Sequence, residues 1–195
     1  MAEPLAGALI AGGASSRFGS AKAELPWLTS QKSLGAHLLD EMGQAGLKTL
    51  ILNAAHSLHG LAADVRLLAD REQGLGPLEG LATVLRELQQ PVLVAACDMP
   101  GLDTAAFKAL AAAWRPDMKG LVARSADGWH PLFAIYSHSL LPEIDRRLAL
   151  GQRALHRLIE DLGLSAWEGA EPEWLANVNS VEDWETWKAR HLEQN

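Results

Sequence analysis

The chain has 195 residues, 48% of them hydrophobic, and a formal charge of −7. That suits one domain with a sizeable core, residues 1–195, and excludes a disordered chain or broad nucleic-acid binding, which needs a basic face. Cys97 is the only cysteine, which excludes disulfide scaffolds and cysteine-based zinc sites within one chain and fits a reduced, cytoplasmic setting.

Taken in chain order, short apolar runs alternate with helical patterns. Met1-Ala2-Glu3-Pro4 has no basic region and no long apolar stretch, so no signal peptide is expected, and no later run reaches the length of a membrane span. Residues 6–11 read as a buried strand. Residues 33–45 read as a helix with Leu34, Leu38, Leu39 and Met42 on one face, ended by Gly46. Strands are expected at 48–53, 65–69 and 91–96, with a helix at 78–88 before the last of these. Asp103 caps a helix running to about Trp114. Strands follow at 120–124 and 131–136, then helices at 140–148, 154–162 and 181–191. The seven tryptophans are spread along the chain and read as packing residues, with an aromatic-lined groove in the last third as the alternative.

Continuous apolar strands separated by helices predict a Rossmann-like α/β fold: a mostly parallel sheet with helices on both faces. Ligands of such sheets bind at the C-terminal ends of the strands. Those ends carry Gly12-Gly13, Asn53, Asp70 and Cys97-Asp98. Gly12, Gly13 and Gly19 allow main-chain N–H groups close to an anion, and Arg17 and Lys22 add positive charge where a triphosphate would lie. The spacing matches neither the P-loop nor the dinucleotide fingerprint.

Asp98, after a buried strand, is placed to hold Mg²⁺ with substrate phosphates, or else to cap the Met99-Pro100 turn. Asn53 can both donate and accept, so it can read a base edge or a ribose, or cap a turn. Asp70 can accept from guanine N–H donors or stand as an exposed turn residue. Gly74-Leu75-Gly76-Pro77-Leu78-Glu79-Gly80 is a second glycine-rich element entering a helix, suited to a nucleotide or to an ordinary loop-to-helix junction. His130 precedes a strand and could touch a second substrate. His56 and His59 read as solvated surface, and Cys97 as buried packing rather than a nucleophile.

The run Ile10-Ala11-Gly12-Gly13-x-Ser15-x-Arg17-Phe18-Gly19-x-x-Lys22 resembles the signature loop of nucleotidyltransferases. Leu52-Asn53-Ala54, Asp70, Gly76-Pro77-Leu78-Glu79-Gly80-Leu81, Cys97-Asp98-Met99-Pro100, the segment from His130 to Tyr136 and Asn177-Val178-Asn179 follow in order. Together they resemble the molybdenum cofactor guanylyltransferase (MobA-like) family almost end to end. The resemblance implies GTP as donor, Mg²⁺ as metal, molybdopterin or molybdenum-molybdopterin as acceptor, and cofactor-insertion chaperones or molybdoenzymes as receivers of the product. It implies nucleotide binding by Ile10, Ala11, Gly12, Gly13, Lys22, Asn53, Asp70 and Asp98, and catalytic work by Arg17, Lys22 and Asp98. Asp98 is the implied metal ligand, and Asn177 and Asn179 lie on the pterin or metal side. One departure is Ala23-Glu24-Leu25 after Lys22, which puts an acidic residue close to the phosphates unless it faces outward. Alternatives are transfer of CMP to the same pterin, transfer of a nucleotide to a sugar phosphate, and a non-catalytic nucleotide-binding adaptor.

Overall fold

The structure, a computed structural model, describes residues 5–11, 22–28, 30–72 and 74–192. Its strands are β1 (Ala6–Ile10), β2 (Leu50–Asn53), β3 (Arg66–Leu68), β4 (Val92–Ala96), β5 (Gly120–Ser125), β6 (Gly128–Tyr136) and β7 (Ser165–Trp167). They form one sheet in the order β3-β2-β1-β4-β6-β5-β7. β1 through β4 are mutually parallel, β5 and β7 run with them, and β6 alone is reversed. The four strand ends picked out in the sequence therefore do share one edge.

The helices are α1 (Leu34–Gln44), α2 (Pro77–Leu88), α3 (Thr104–Ala113), α4 (Leu141–Ala149), α5 (Leu155–Leu162) and α6 (Val181–Leu192). Alternate strand residues feed two cores, as the pleat requires. Leu9, Leu52, Leu93 and Phe133 pack with Leu38, Phe107 and Trp184 from α1, α3 and α6. Ala8, Ile51, Val94 and Ala134 pack with Leu81, Ile144 and Leu158 from α2, α4 and α5. Ser33 caps α1 by accepting from the Ala36 amide, and Asp103 caps α3 by accepting from Ala106 at 2.8 Å. Glu41 of α1 also accepts from the Thr104 amide at 2.7 Å, which ties α1 to the start of α3. No described helix is long and apolar enough to cross a membrane.

Two differences from the sequence reading have local causes. β7 has three residues, two of them exposed, and so carries no apolar signal. β6 begins at Gly128 rather than at 131, and Pro131 lies inside it. Proline cannot donate to a ladder and is tolerated in strands at edges or bulges. Here the β5 register shifts between Val122 and Ala123, which pair with Ala134 and His130, so Pro131 falls in the skipped stretch. The buried Tyr136 hydroxyl donates to the Pro131 carbonyl at 2.8 Å.

The tryptophans are mainly packing residues. Trp27 stacks on His37 with centroids 3.9 Å apart, Trp184 stacks on Trp187, and Trp167 stacks on Trp174 and meets Phe133 edge-on. These contacts press the segment after β7, and α6, onto the sheet. Leu175 and Val178 are buried there, and the Val178 amide donates to the Asp98 carbonyl at 2.8 Å. Gly101 fits this segment closely, because a Cβ there would collide with the Glu173 carbonyl oxygen. Backbone cannot yield as a side chain tip can. Gly101→Ala is expected to lower stability by about 1–3 kcal/mol, read as a loss of unfolding free energy in urea.

Candidate functional site

β4 ends at Ala96, and Asp98 follows two residues later, with its side chain 30% exposed. Lys22 opens the short 3₁₀ turn Lys22–Glu24. Its Nζ lies 3.4 Å from Asp98 Oδ2 and donates to Asn179 Oδ1 at 3.1 Å. Asn179 is held from below: its amide and that of Ser180 donate to Asp183 Oδ2 at 2.9 and 2.8 Å, while Asp183 N donates to Ser180 Oγ. This is a capping arrangement at the start of α6. The Asn179 amide, then the other bonds, holds the Asp183 carboxyl below its usual range. Glu24, the acidic departure near Lys22, pairs with the exposed His56 at 2.6 Å.

Asp98 and Asn177 also line a cleft of about 290 Å³ on the β6 side, with Trp129, His130, Pro77 and His156 around it. His130 Nε2 and Ser125 Oγ share a hydrogen bond of 2.9 Å. Burial lowers the His130 pKa, only partly countered by Asp127, which favours the neutral ring. Arg124 lies over the Trp129 ring, 4.9 Å from its centroid.

On the other side of β1 lie Asn53 and Asp70. Asn53 ends β2 and is fully buried. Its Nδ2 donates to the Leu68 carbonyl at 3.2 Å and to Asp70 Oδ1 at 2.8 Å. Its Oδ1 is buried and has no hydrogen-bond partner among the described residues. Such an acceptor costs about 1–3 kcal/mol. The second glycine-rich element enters α2 here, with Gly74 and Gly76 at positive φ and Pro77 in the first turn.

The predicted residues thus fall into two groups flanking β1. Lys22, Asp98 and Asn179 are in contact, and Asp98, Asn177 and His130 share the cleft. Asn53 and Asp70 form the second group. Ile10 ends β1, and the Ala11 amide donates to the Asn53 carbonyl at 3.0 Å. Gly12, Gly13 and Arg17 lie outside the described residues. Trp129 and His156 carried no sequence signal, whereas Pro77 lies within the glycine-rich element already singled out. Among the described residues no three His, Cys, Asp or Glu side chains cluster as metal ligands. Asp98 with the asparagine oxygens suits a hard cation completed by phosphate and water rather than a zinc centre.

The MobA-like NTP transferase domain matches residues 7–167. A protein of Opitutus terrae named probable molybdenum cofactor guanylyltransferase is 33% identical over 165 residues, covering 83% of this chain and 80% of that one. One of the same name from Chloroflexus aggregans is 35% identical over 196 residues, covering 92% and 91%. The solved structure of molybdopterin-guanine dinucleotide biosynthesis protein A from Archaeoglobus fulgidus shares the fold, with a TM-score of 0.77 at 19% identity over 97% of this chain and 100% of that one.

Cys97 sits beside Asp98, but burial first, and the neighbouring carboxylate second, push its thiol up to about 12. The thiolate is the reactive form, so low reactivity is expected of this cysteine. At pH 8 iodoacetamide is expected to leave the native protein unmodified and to alkylate it once in denaturant, as read by intact mass.

Proposed function

We propose, since the chain belongs to the MobA-like NTP transferase family, that it transfers GMP from GTP to molybdopterin, with or without bound molybdenum, and releases pyrophosphate. It is a nucleotidyltransferase. The observation that carries the finer reading is the order of groups along one sheet edge. Asp70 and Asn53 stand at the β2–β3 side, Lys22 and Asp98 near the centre, and the His130–Asn177 cleft beyond β4. A nucleoside, its phosphates and an acceptor would occupy the same order.

Each group suits its place chemically. A carboxylate such as Asp70 accepts from guanine N1–H and the 2-amino group, whereas cytosine presents acceptors at the corresponding edge. Lys22 and Asn179 would serve the phosphate end, and the sequence motif assigns Arg17, Gly12 and Gly13 to the same phosphates. Asp98 would hold Mg²⁺ with the asparagine oxygens, and the ion when bound offsets phosphate charge. The acceptor's terminal phosphate oxygen, arriving from the cleft, forms a new bond to the α-phosphorus as the bond to pyrophosphate breaks. The neutral His130 can orient that phosphate without adding a fixed charge. The chain's contribution is positioning and electrostatics, with no covalent enzyme intermediate. A cytoplasmic setting fits this reading, since GTP is there, and molybdoenzymes or insertion chaperones would take the product.

Thermal unfolding with Mg²⁺ and each of GTP, CTP, ATP and UTP tests the donor. At about 100 times its dissociation constant GTP is expected to add ~2.7 kcal/mol, with little effect from the others. Stabilisation by CTP instead would overturn the guanine reading. Asp98→Ala is expected to cut pyrophosphate release at least about a thousandfold with little change in melting temperature, and a near-normal rate would remove Asp98 from the metal site.

A further inference from the structure

We infer that Ser125 is a positioning residue for the reaction: it fixes His130 as the tautomer that carries its proton on Nδ1, so that an uncharged N–H donor faces the acceptor's phosphate. The inference rests on the reading of His130 as an acceptor contact.

The β5–β6 hairpin builds this pair. Ala123 stands opposite His130, and Ser125 stands opposite Gly128 at the hairpin tip. Side chains two apart on a strand share a face, so Ser125 is the diagonal neighbour of His130. The Asp127 amide donates to Ser125 Oγ at 3.2 Å, which fastens the hydroxyl to the turn. The serine is therefore held by its own hairpin, and the histidine is held by the serine.

Donor and acceptor roles follow from counting. A hydroxyl has one proton to give and two lone pairs to receive. Ser125 Oγ already receives from the Asp127 amide, and its other partner among the described residues is His130 Nε2 at 2.9 Å. Donation to Nε2 gives the hydroxyl proton an acceptor. Were the ring to donate instead, that proton would be left without a protein partner at a half-buried position. Burial also disfavours the doubly protonated ring, countered only in part by Asp127, so one nitrogen carries the proton. With Nε2 accepting, that nitrogen is Nδ1. Nδ1 has no hydrogen-bond partner among the described residues, and the ring lines the cleft with Asp98 and Asn177. An N–H there donates to a phosphate oxygen, whereas the opposite tautomer would turn a lone pair toward it.

Nitrogen-15 NMR of the full chain, labelled in histidine and held at pH 8, reads the tautomer directly, with His130→Ala assigning the ring. The wild type is expected to carry the proton on Nδ1. Ser125→Ala is expected to release the ring toward the Nε2–H form, and Ser125→Thr, which keeps the hydroxyl, to restore Nδ1–H. Steady-state kinetics links the tautomer to the reaction. Ser125→Ala is expected to raise the KM for molybdopterin about tenfold, with the KM for GTP unchanged, and Ser125→Thr to recover most of that loss. A proton on Nε2 in the wild type would overturn the proposal, as would a Ser125→Ala protein that keeps Nδ1–H. A lowered melting temperature with the KM for molybdopterin unchanged in Ser125→Ala would mark a merely structural serine and also overturn it. If the tautomer is as expected but His130→Ala leaves that KM unchanged, the acceptor contact itself is misplaced, and the proposal falls for that separate reason.

Discussion

The flush register of the parallel strands is the constraint on which the rest depends. Ile10 pairs with Asn53 on one side and with Ala96 on the other, and Asn53 pairs in turn with Leu68. Four strands therefore end in one transverse row. Asp70 and Asp98 each follow that row by two residues, and Ala11 follows it by one. A slip of one residue in any strand would invert its faces and withdraw its functional group from the edge. Burial prevents such a slip, since every residue of β1 and β4 is buried and both faces are covered by helices. The chemistry of the edge is thus specified by apolar residues that never touch a ligand.

A protein of net charge −7 that handles polyphosphate must solve an electrostatic problem locally. Lys22 is 14% exposed and stands between a carboxylate and an amide oxygen, which keeps its ammonium at the edge rather than in solvent. Asn179 is neutral, so it orients the lysine without cancelling its charge. Glu24, two residues on, pairs with a histidine instead. Asp183, close in sequence to Asn179, spends its charge on backbone amides at a helix start. Among the described residues Asp98 is the carboxylate in contact with Lys22, and Asp183 feels the Lys22 charge from further off.

Much of this was readable in the chain. β1 and β4 announce themselves as unbroken apolar runs, and α1, α2 and α3 by their spacing and caps. Their residues need only nearest neighbours in sequence to be recognised. The polar residues at the strand ends followed from the fold class, and the parallel topology brought them to one edge. What sequence did not reveal depends on partners distant in the chain. The Asn53–Asp70 bond crosses from β2 to the turn after β3, and neither residue type signals the other. The contact of Lys22 with Asn179 spans 157 positions. The early start of β6 needed a bulge in β6 itself, opposite Val122 and Ala123, that admits Pro131, and Trp129 and His156 join the cleft only because β6 and α5 lie where they do. Local pattern specifies elements, whereas the second layer of a site is a property of their packing.

That second layer has a recognisable energetic mark. Near Asn53 two unfavourable choices coincide: a buried acceptor without a partner among the described residues, and a glycine within α2. A glycine in a helix interior costs about 1 kcal/mol relative to alanine, and the unpaired oxygen costs more. An apolar residue at 53 with alanine at 80 would satisfy the local rules of strand and helix. The two departures are coupled, since the glycine makes the room that the amide oxygen occupies. Coupled departures from local rules at a strand end cost stability and fix the position of a side chain. The group placed here is a carboxylate, half-buried and tied by one oxygen, at the edge where β1, β2 and β4 terminate together.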